Sequence, residues 1–169
     1  VSHYIELQPG VGRGIMREVY RFAPVSEQQA YRAQIQEGGE PSDVVASVLK
    51  ILPHLTGEER SIFLDNALHK VTLIENPCAR YSLAIDLLPW DMANGRELGT
   101  QMAQWVVSAE NINSYAILNA KFAEVCSRFD DMKVVAEEAR QRSRNTFYEI
   151  EDPFEKISVL WSLCGIGGI

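Results

Sequence analysis

The chain has 169 residues, 46% hydrophobic and 23% charged, which matches an ordinary globular domain and leaves room for a continuous core. This composition argues against disorder over most of the length. The net charge of −7 at pH 7 repels phosphate backbones and therefore argues against general nucleic-acid binding.

The first predicted segment is an irregular N-terminal arm over residues 1–24, in which prolines and glycines interrupt short apolar pieces. A short helix is expected within this arm, over residues 15–22. Residues 25–169 are then expected to form one helical domain. Its first helix covers Ser26 to Glu37, with Ser26 as N-cap, and a Gly-Gly pair breaks the chain directly afterwards.

Prolines mark the starts and ends of the next predicted helices. Pro41 opens a helix that Pro53 stops, and Pro77 opens another that runs to Leu88 and ends at Pro89. Proline fits the first helical turn, where its missing amide hydrogen costs no hydrogen bond. In a helix interior it removes a bond, so a later proline predicts a helix end.

A capping box and a repeated apolar spacing indicate helices between and after these prolines. Thr56 and Glu59 have the capping-box spacing, in which each side chain bonds a free backbone amide. No stretch alternates with the two-residue period of a strand, so we expect almost no sheet. Apolar stripes at helical spacing occur at Phe63, Ala67, Val71 and Ile74; at Leu98, Met102, Trp105 and Ala109; at Leu118, Phe122, Val125 and Phe129; and at Ser143, Phe147 and Ile150.

The sequence also matches itself at an offset of 36 residues. This shift aligns Pro41 with Pro77 and Pro53 with Pro89. A single helical hairpin cannot bury its apolar stripe alone, whereas stacked hairpins share one continuous core. The fold class expected is therefore all-α, a right-handed stack of about three to four hairpins, although chance matches within an irregular helical bundle would give a similar pattern.

This pattern over residues 41–164 resembles the HEAT-like class of α-helical repeats. The resemblance implies a short α-solenoid-like fold that serves as a binding scaffold. It consists of helix starts and of small or aliphatic positions, so it implies no particular functional residue.

The cysteines and histidines favour free thiols over a metal site. The chain has three cysteines with no C-x-x-C pair and three histidines, which argues against structural zinc. The pattern is typical of buried thiols in the cytoplasm. No apolar run approaches the roughly 20 residues needed to cross a bilayer, and no signal peptide is recognisable. Because the chain begins at Val1, we expect it to be part of a longer protein.

Cys78 is the candidate for nucleophilic chemistry, because it follows Pro77 at a predicted helix N-terminus, where the helix dipole favours a thiolate. The competing interpretation is a small residue that the repeat requires, as at Ser42. Cys126 and Cys164 fall on or beside apolar stripes and are expected in the core.

Aromatic residues are the candidates for recognition, since aromatic side chains are frequent binding anchors. The tryptophans of the chain are Trp90, Trp105 and Trp161, and each is otherwise a packing residue. We expect a protein–protein interaction module that binds a protein or peptide partner without a cofactor or metal. The contact residues predicted for its surface are Tyr81, Trp90, Trp105 and Tyr115.

Two other classes remain open from the sequence. One is an enzymatic domain of a bacterial secreted effector, such as a transferase or a ubiquitin-ligase-like protein, which would act in the host cytoplasm. The other is a structural segment that packs inside its own parent protein.

Overall fold

The computed structural model describes residues 19–94, 97–104 and 112–166, and these residues are helical with no strand among them. The prediction of an all-α fold is confirmed. Single 3-10 turns lie at Tyr20–Phe22, Leu52–His54 and Asp130–Met132. The α-helices in the described residues are α1 (Val25–Glu37), α2 (Pro41–Ile51), α3 (Gly57–Thr72), α4 (Pro77–Asn94), α5 (Glu97–Gln104), α6 (Ile112–Cys126), α7 (Lys133–Glu149) and α8 (Pro153–Ile166).

The chain divides into two compact units, Val1–Glu75 and Asn76–Ile169. The first unit contains helices α1 to α3, and the second contains α4 to α8. Most of the predicted arm lies outside the described residues, so the predicted boundary after residue 24 stays a prediction.

In the first unit, α2 and α3 form a hairpin around a buried aliphatic core. The predicted start at Pro41 is confirmed, with proline at the first helical turn. The Glu40 carboxylate caps this helix by accepting hydrogen bonds from the amides of Ser42 and Asp43, at 2.9 and 3.2 Å. The core contains the whole stripe predicted for α3, together with residues of α2: Val44, Val45, Val48, Ile51, Phe63, Ala67, Val71 and Ile74.

Two predicted N-caps in this unit are wrong. Helix α1 begins one residue earlier than predicted, so that Pro24 is its N-cap and Ser26 lies inside it. Helix α3 does follow Thr56, but the Thr56 side chain makes no capping bond. Gly57 has a φ of +55°, so the chain enters α3 through a left-handed residue that the capping box does not allow. Glu59 instead forms an ion pair with Arg32 of α1.

The predicted helix end at Pro89 is also wrong, because α4 continues through this residue to Asn94. A proline inside a helix removes one backbone hydrogen bond and costs about 3 kcal/mol or more. The burial of Ile85, Leu87 and Leu88 in the turn before it offsets that cost. Tertiary packing therefore outweighs the local signal.

In the second unit, polar side chains hold α6 against α7. The buried Ser143 hydroxyl donates to the Ala116 carbonyl at 2.8 Å. The Arg142 Nε donates to the Asn119 Oδ1 at 3.1 Å, and the Asn119 Nδ2 donates to the Tyr115 carbonyl at 2.9 Å. Ser143, which interrupts a predicted apolar stripe, is thus satisfied by the neighbouring helix.

A buried carboxylate links α4 to α5 in the same unit. Asp91 is 4% exposed, and its Oδ2 accepts a hydrogen bond from the Leu98 amide at 2.7 Å. This amide belongs to the first turn of α5, where free amide donors favour an anion. Leu98 and Met102 are buried as predicted, whereas Trp105 and Ala109 lie outside the described residues.

Helix α8 packs on α6 through a small cluster. Its buried members are Ala116, Ile150 and Val159, and the partly buried Ile112, Ile117 and Phe147 pack around them. The regular stacking of successive hairpins stays a prediction.

Candidate functional site

Tyr81, one of the predicted contact residues, lies inside the second unit. It is 3% exposed, and its ring centroid is 5.7 Å from that of Phe122 on α6. Burial raises the pKa of its phenol well above the ordinary value, and Tyr115 nearby adds to this effect. This setting favours a packing role for Tyr81.

Trp90 and Tyr115 are half-buried, on α4 and α6 respectively. Tyr115 lies beside Tyr81, but the structure does not place these aromatic residues on one open surface. Trp105 lies outside the described residues. The roles of these four residues at an interface therefore stay predictions.

Cys78 is the second residue of α4 and is half-buried. The Asn76 Oδ1 caps this helix by accepting a hydrogen bond from the Ala79 amide at 2.9 Å. The second unit contains no histidine, because the three histidines are at positions 3, 54 and 69. Within its own unit, Cys78 therefore has no imidazole base of the kind that activates cysteine nucleophiles.

Burial argues against a nucleophilic role for Cys126, the other cysteine whose side chain the structure describes. Cys126 is fully buried, and burial raises the pKa of its thiol to about 12, so the reactive thiolate is suppressed. The side chain of Cys164 is outside the described residues. In the part of the chain that the structure describes, no group of three or more histidine, cysteine or acidic side chains is placed to hold a metal ion.

The basic residues of α7 pair with acids or amides of their own unit. Arg140 and Arg144 both face Glu137, at 3.1 and 4.0 Å, and Arg142 bonds Asn119. This part of α7 is therefore a helix face of mixed charge. Such pairs are screened and weak in water, and they leave little unbalanced positive charge here.

The sequence did not reveal a polar–aromatic cluster in the first unit. The Tyr20 ring lies 6.0 Å from Tyr31 and 5.8 Å from His54, measured between ring centroids. The ion pair between Arg32 and Glu59 lies next to these rings. Burial raises the pKa of Tyr20, which keeps its phenol protonated. The cluster ties the 3-10 turn before α1 to the α2–α3 hairpin.

Helix α8 carries the two aromatic side chains with the highest exposed fraction among the described residues. Phe154 and Trp161 are each 82% exposed, Ile157 is 60% exposed and Leu160 is 46% exposed. At about 100° per residue these four positions fall within an arc of about 120°. We call them the α8 apolar face. Trp161 is one of the three tryptophans singled out by sequence, but its three companions were missed.

The opposite side of α8 explains why this face is open. Val159, which is 1% exposed, packs with Ala116 and Ile150. Helix α8 therefore uses one side for the core of its unit and leaves the α8 apolar face in solvent.

The N-terminal end of α8 is acidic. Glu149, Glu151 and Glu155 are exposed there, and Glu155, four residues before Val159, lies on the same side of the helix as Val159 and not beside the α8 apolar face. Asp152 caps α8, since its Oδ1 accepts hydrogen bonds from the amides of Phe154 and Glu155, at 2.7 and 3.3 Å. The following basic residue, Lys156, has its ammonium 5.8 Å from the centre of the Phe147 ring.

Comparisons with known proteins give no family or neighbour for this chain. No family model matches it, and no curated protein or solved structure is significantly similar to it. None of the helices searched in the described residues has the length and apolar character needed to cross a membrane. The geometry of the chain itself is therefore the basis for its functional interpretation.

Proposed function

We propose that this chain is a protein–protein interaction module and that its binding surface is the α8 apolar face. The observation that carries this proposal is the pair of aromatic side chains, Phe154 and Trp161, that are 82% exposed on one helix face. An aromatic side chain contributes roughly 150–250 Å² when fully buried, so these two leave roughly 250–400 Å² in water. An apolar patch of that size on a soluble protein is often functional.

The chemistry of these residues suits a binding anchor. Tryptophan and other large rings supply most of the binding energy at many interfaces, where a few central side chains dominate. In contrast, Tyr81 is buried and Trp90 is half-buried. We therefore place the contact surface on α8, a different position from the contact residues predicted by sequence.

The proposal is tested by affinity capture with three forms of the full chain, followed by identification of retained proteins. The forms are the wild type, the double variant Phe154→Ser/Trp161→Ser, and the matched control Phe22→Ser/Val134→Ser. The control also removes two exposed apolar side chains, 73% and 71% exposed, which belong to other elements of the chain.

A protein retained by the wild type is then purified and its dissociation constant measured against all three forms. We expect the α8 double variant to weaken binding at least about tenfold, as truncation of a hot-spot pair does, and the control to bind like the wild type. A partner that binds all three forms equally would overturn the proposal.

A further inference from the structure

Building on the proposed function, on which this inference rests, we infer that the α8 apolar face receives a basic amphipathic helix. Its apolar stripe packs along α8, and its flanking lysine or arginine side chains face the acids at the N-terminal end of α8. Shape and charge both point to this partner element.

The shape of the α8 apolar face matches one helix. The residues from Phe154 to Trp161 span about 10 Å along the helix axis, which is two turns. They form a narrow stripe on a convex rod, and a second helix presents apolar side chains at matching spacings of three, four and seven residues. Helices packed in this way bury apolar stripes of similar width against each other.

The negative charge at the N-terminal end of α8 determines which residues are favoured beside the apolar stripe of the partner helix. Residues 145–169 contain four acids (Glu149, Glu151, Asp152, Glu155) and one base (Lys156), a net charge of −4 + 1 = −3. The ammonium of that base faces the ring of Phe147. Opposite charges at the edge of an interface steer association and fix orientation, whereas like charges disfavour it. Basic flanks are therefore favoured over acidic ones.

The same charge argues against two other occupants. A second copy related by twofold symmetry would bring its own acidic segment to the same interface, and each whole chain carries −7. An anionic membrane surface would meet the same repulsion. A helix with basic flanks is the occupant that satisfies both the apolar stripe and the acids.

The test uses the full chain and two synthetic helical peptides of about 18 residues, long enough for five turns. Both peptides carry leucine at one stripe, and they differ only in having lysine or glutamate on the flanks. Binding is followed by fluorescence anisotropy of the labelled peptide. We expect the lysine peptide to bind at least about tenfold more tightly than the glutamate peptide, with the difference shrinking as salt is raised.

Charge reversal in the chain provides the second arm. Glu149→Lys/Glu151→Lys should lower the affinity for the lysine peptide about tenfold and raise that for the glutamate peptide. The matched control, Glu37→Lys/Glu58→Lys, changes the net charge equally at two exposed acids of the first unit. It should leave the preference between the peptides unchanged.

Three results would overturn this inference, and they are distinguishable from failure of the proposed function. If both peptides bind equally and Phe154→Ser/Trp161→Ser abolishes this binding, the apolar docking surface is supported but the preference for basic flanks is wrong. Binding of the lysine peptide that survives the double variant would show attraction to the acidic chain as a whole. Dimerisation of the wild type that this variant abolishes would show that a second copy covers the face.

Discussion

Because the α8 apolar face is exposed, we predict that truncating Ile157 on this face lowers the free energy of unfolding much less than truncating the buried Val159. Val159→Ala removes two methyl-sized groups from the core, since Val159 is 1% exposed. At about 0.8 kcal/mol per group, plus the cost of the cavity, the free energy of unfolding should fall by about 1.5–3 kcal/mol. Ile157→Ala removes more carbon, but this side chain is 60% exposed. Its effect should stay within about 0.5 kcal/mol.

Tryptophan fluorescence during urea unfolding measures this difference in the second unit. All three tryptophans, Trp90, Trp105 and Trp161, belong to that unit, so the signal reports on the environment of residues in the second unit. Far-UV circular dichroism of both variants should match the wild type before the transition. If Ile157→Ala destabilises the unit as much as Val159→Ala, the α8 apolar face is covered in the folded chain, and the proposed binding surface is wrong.

Three further predictions concern the buried carboxylate and the thiols. Asp91→Ala should lower the free energy of unfolding by about 1–3 kcal/mol, because it leaves the Leu98 amide without its acceptor; an unchanged urea midpoint would contradict this. In a Cys164→Ser background, a thiol reagent should modify the half-buried Cys78 before unfolding and Cys126 only upon unfolding, as counted by mass spectrometry. Burial raises the pKa of Cys126 from 9.0 to about 12. The contribution of this thiol to the free energy of unfolding is therefore complete below pH 9 and is lost as the pH rises to 12. This thiol contributes a slope of at most about 1.4 kcal/mol per pH unit, and Cys126→Ala should remove its part of the pH dependence, most clearly between about pH 9 and 10, below the titration of buried tyrosines.

The helix starts could be predicted from sequence because the determining interactions are local. A proline at the first turn acts within its own residue and the next few, and both Pro41 and Pro77 begin helices as expected. The apolar spacing of Phe63 and Val71 likewise reflects a stripe within one helix, and both residues are buried.

The failures arise where a distant part of the chain competes with a local signal. Glu59 pairs with Arg32, which is 27 residues away, so the predicted capping box is not formed. At Pro89 the burial of the preceding apolar turn overrides the loss of one hydrogen bond. Arg32 is far from Glu59 in sequence, and α6, which packs on α4, is likewise far from Pro89, so a window of a few residues contains neither.

The self-match at 36 residues shows the same limit. Its first aligned pair, Pro41 and Pro77, has one structural role, since each residue begins a helix. The second pair does not, because Pro53 lies in a 3-10 turn and Pro89 lies inside α4. The aligned helices α2 and α4 accordingly have 11 and 18 residues. Similar helix starts therefore do not imply equal hairpins.

The difference between the contact residues predicted from sequence and the surface proposed on α8 has a related cause. Periodicity identifies which residues share a helix face, but it does not tell whether another helix covers that face. Tyr81 is on a covered face, against Phe122, whereas Trp161 is on an open one. Only the tertiary arrangement separates these two aromatic residues.

Helix α8 is apolar on two sides, and each side is removed from water only when another apolar surface packs against it. Among the described residues, α6 provides the neighbour for the side that contains Val159. Phe154 and Trp161, 82% exposed, add almost nothing to the stability of their own unit, while the exposure of their rings favours association. A second apolar surface laid against them would therefore be stabilised by the full burial of both rings. The acids at the N-terminal end of α8 restrict that surface to one with a positive edge.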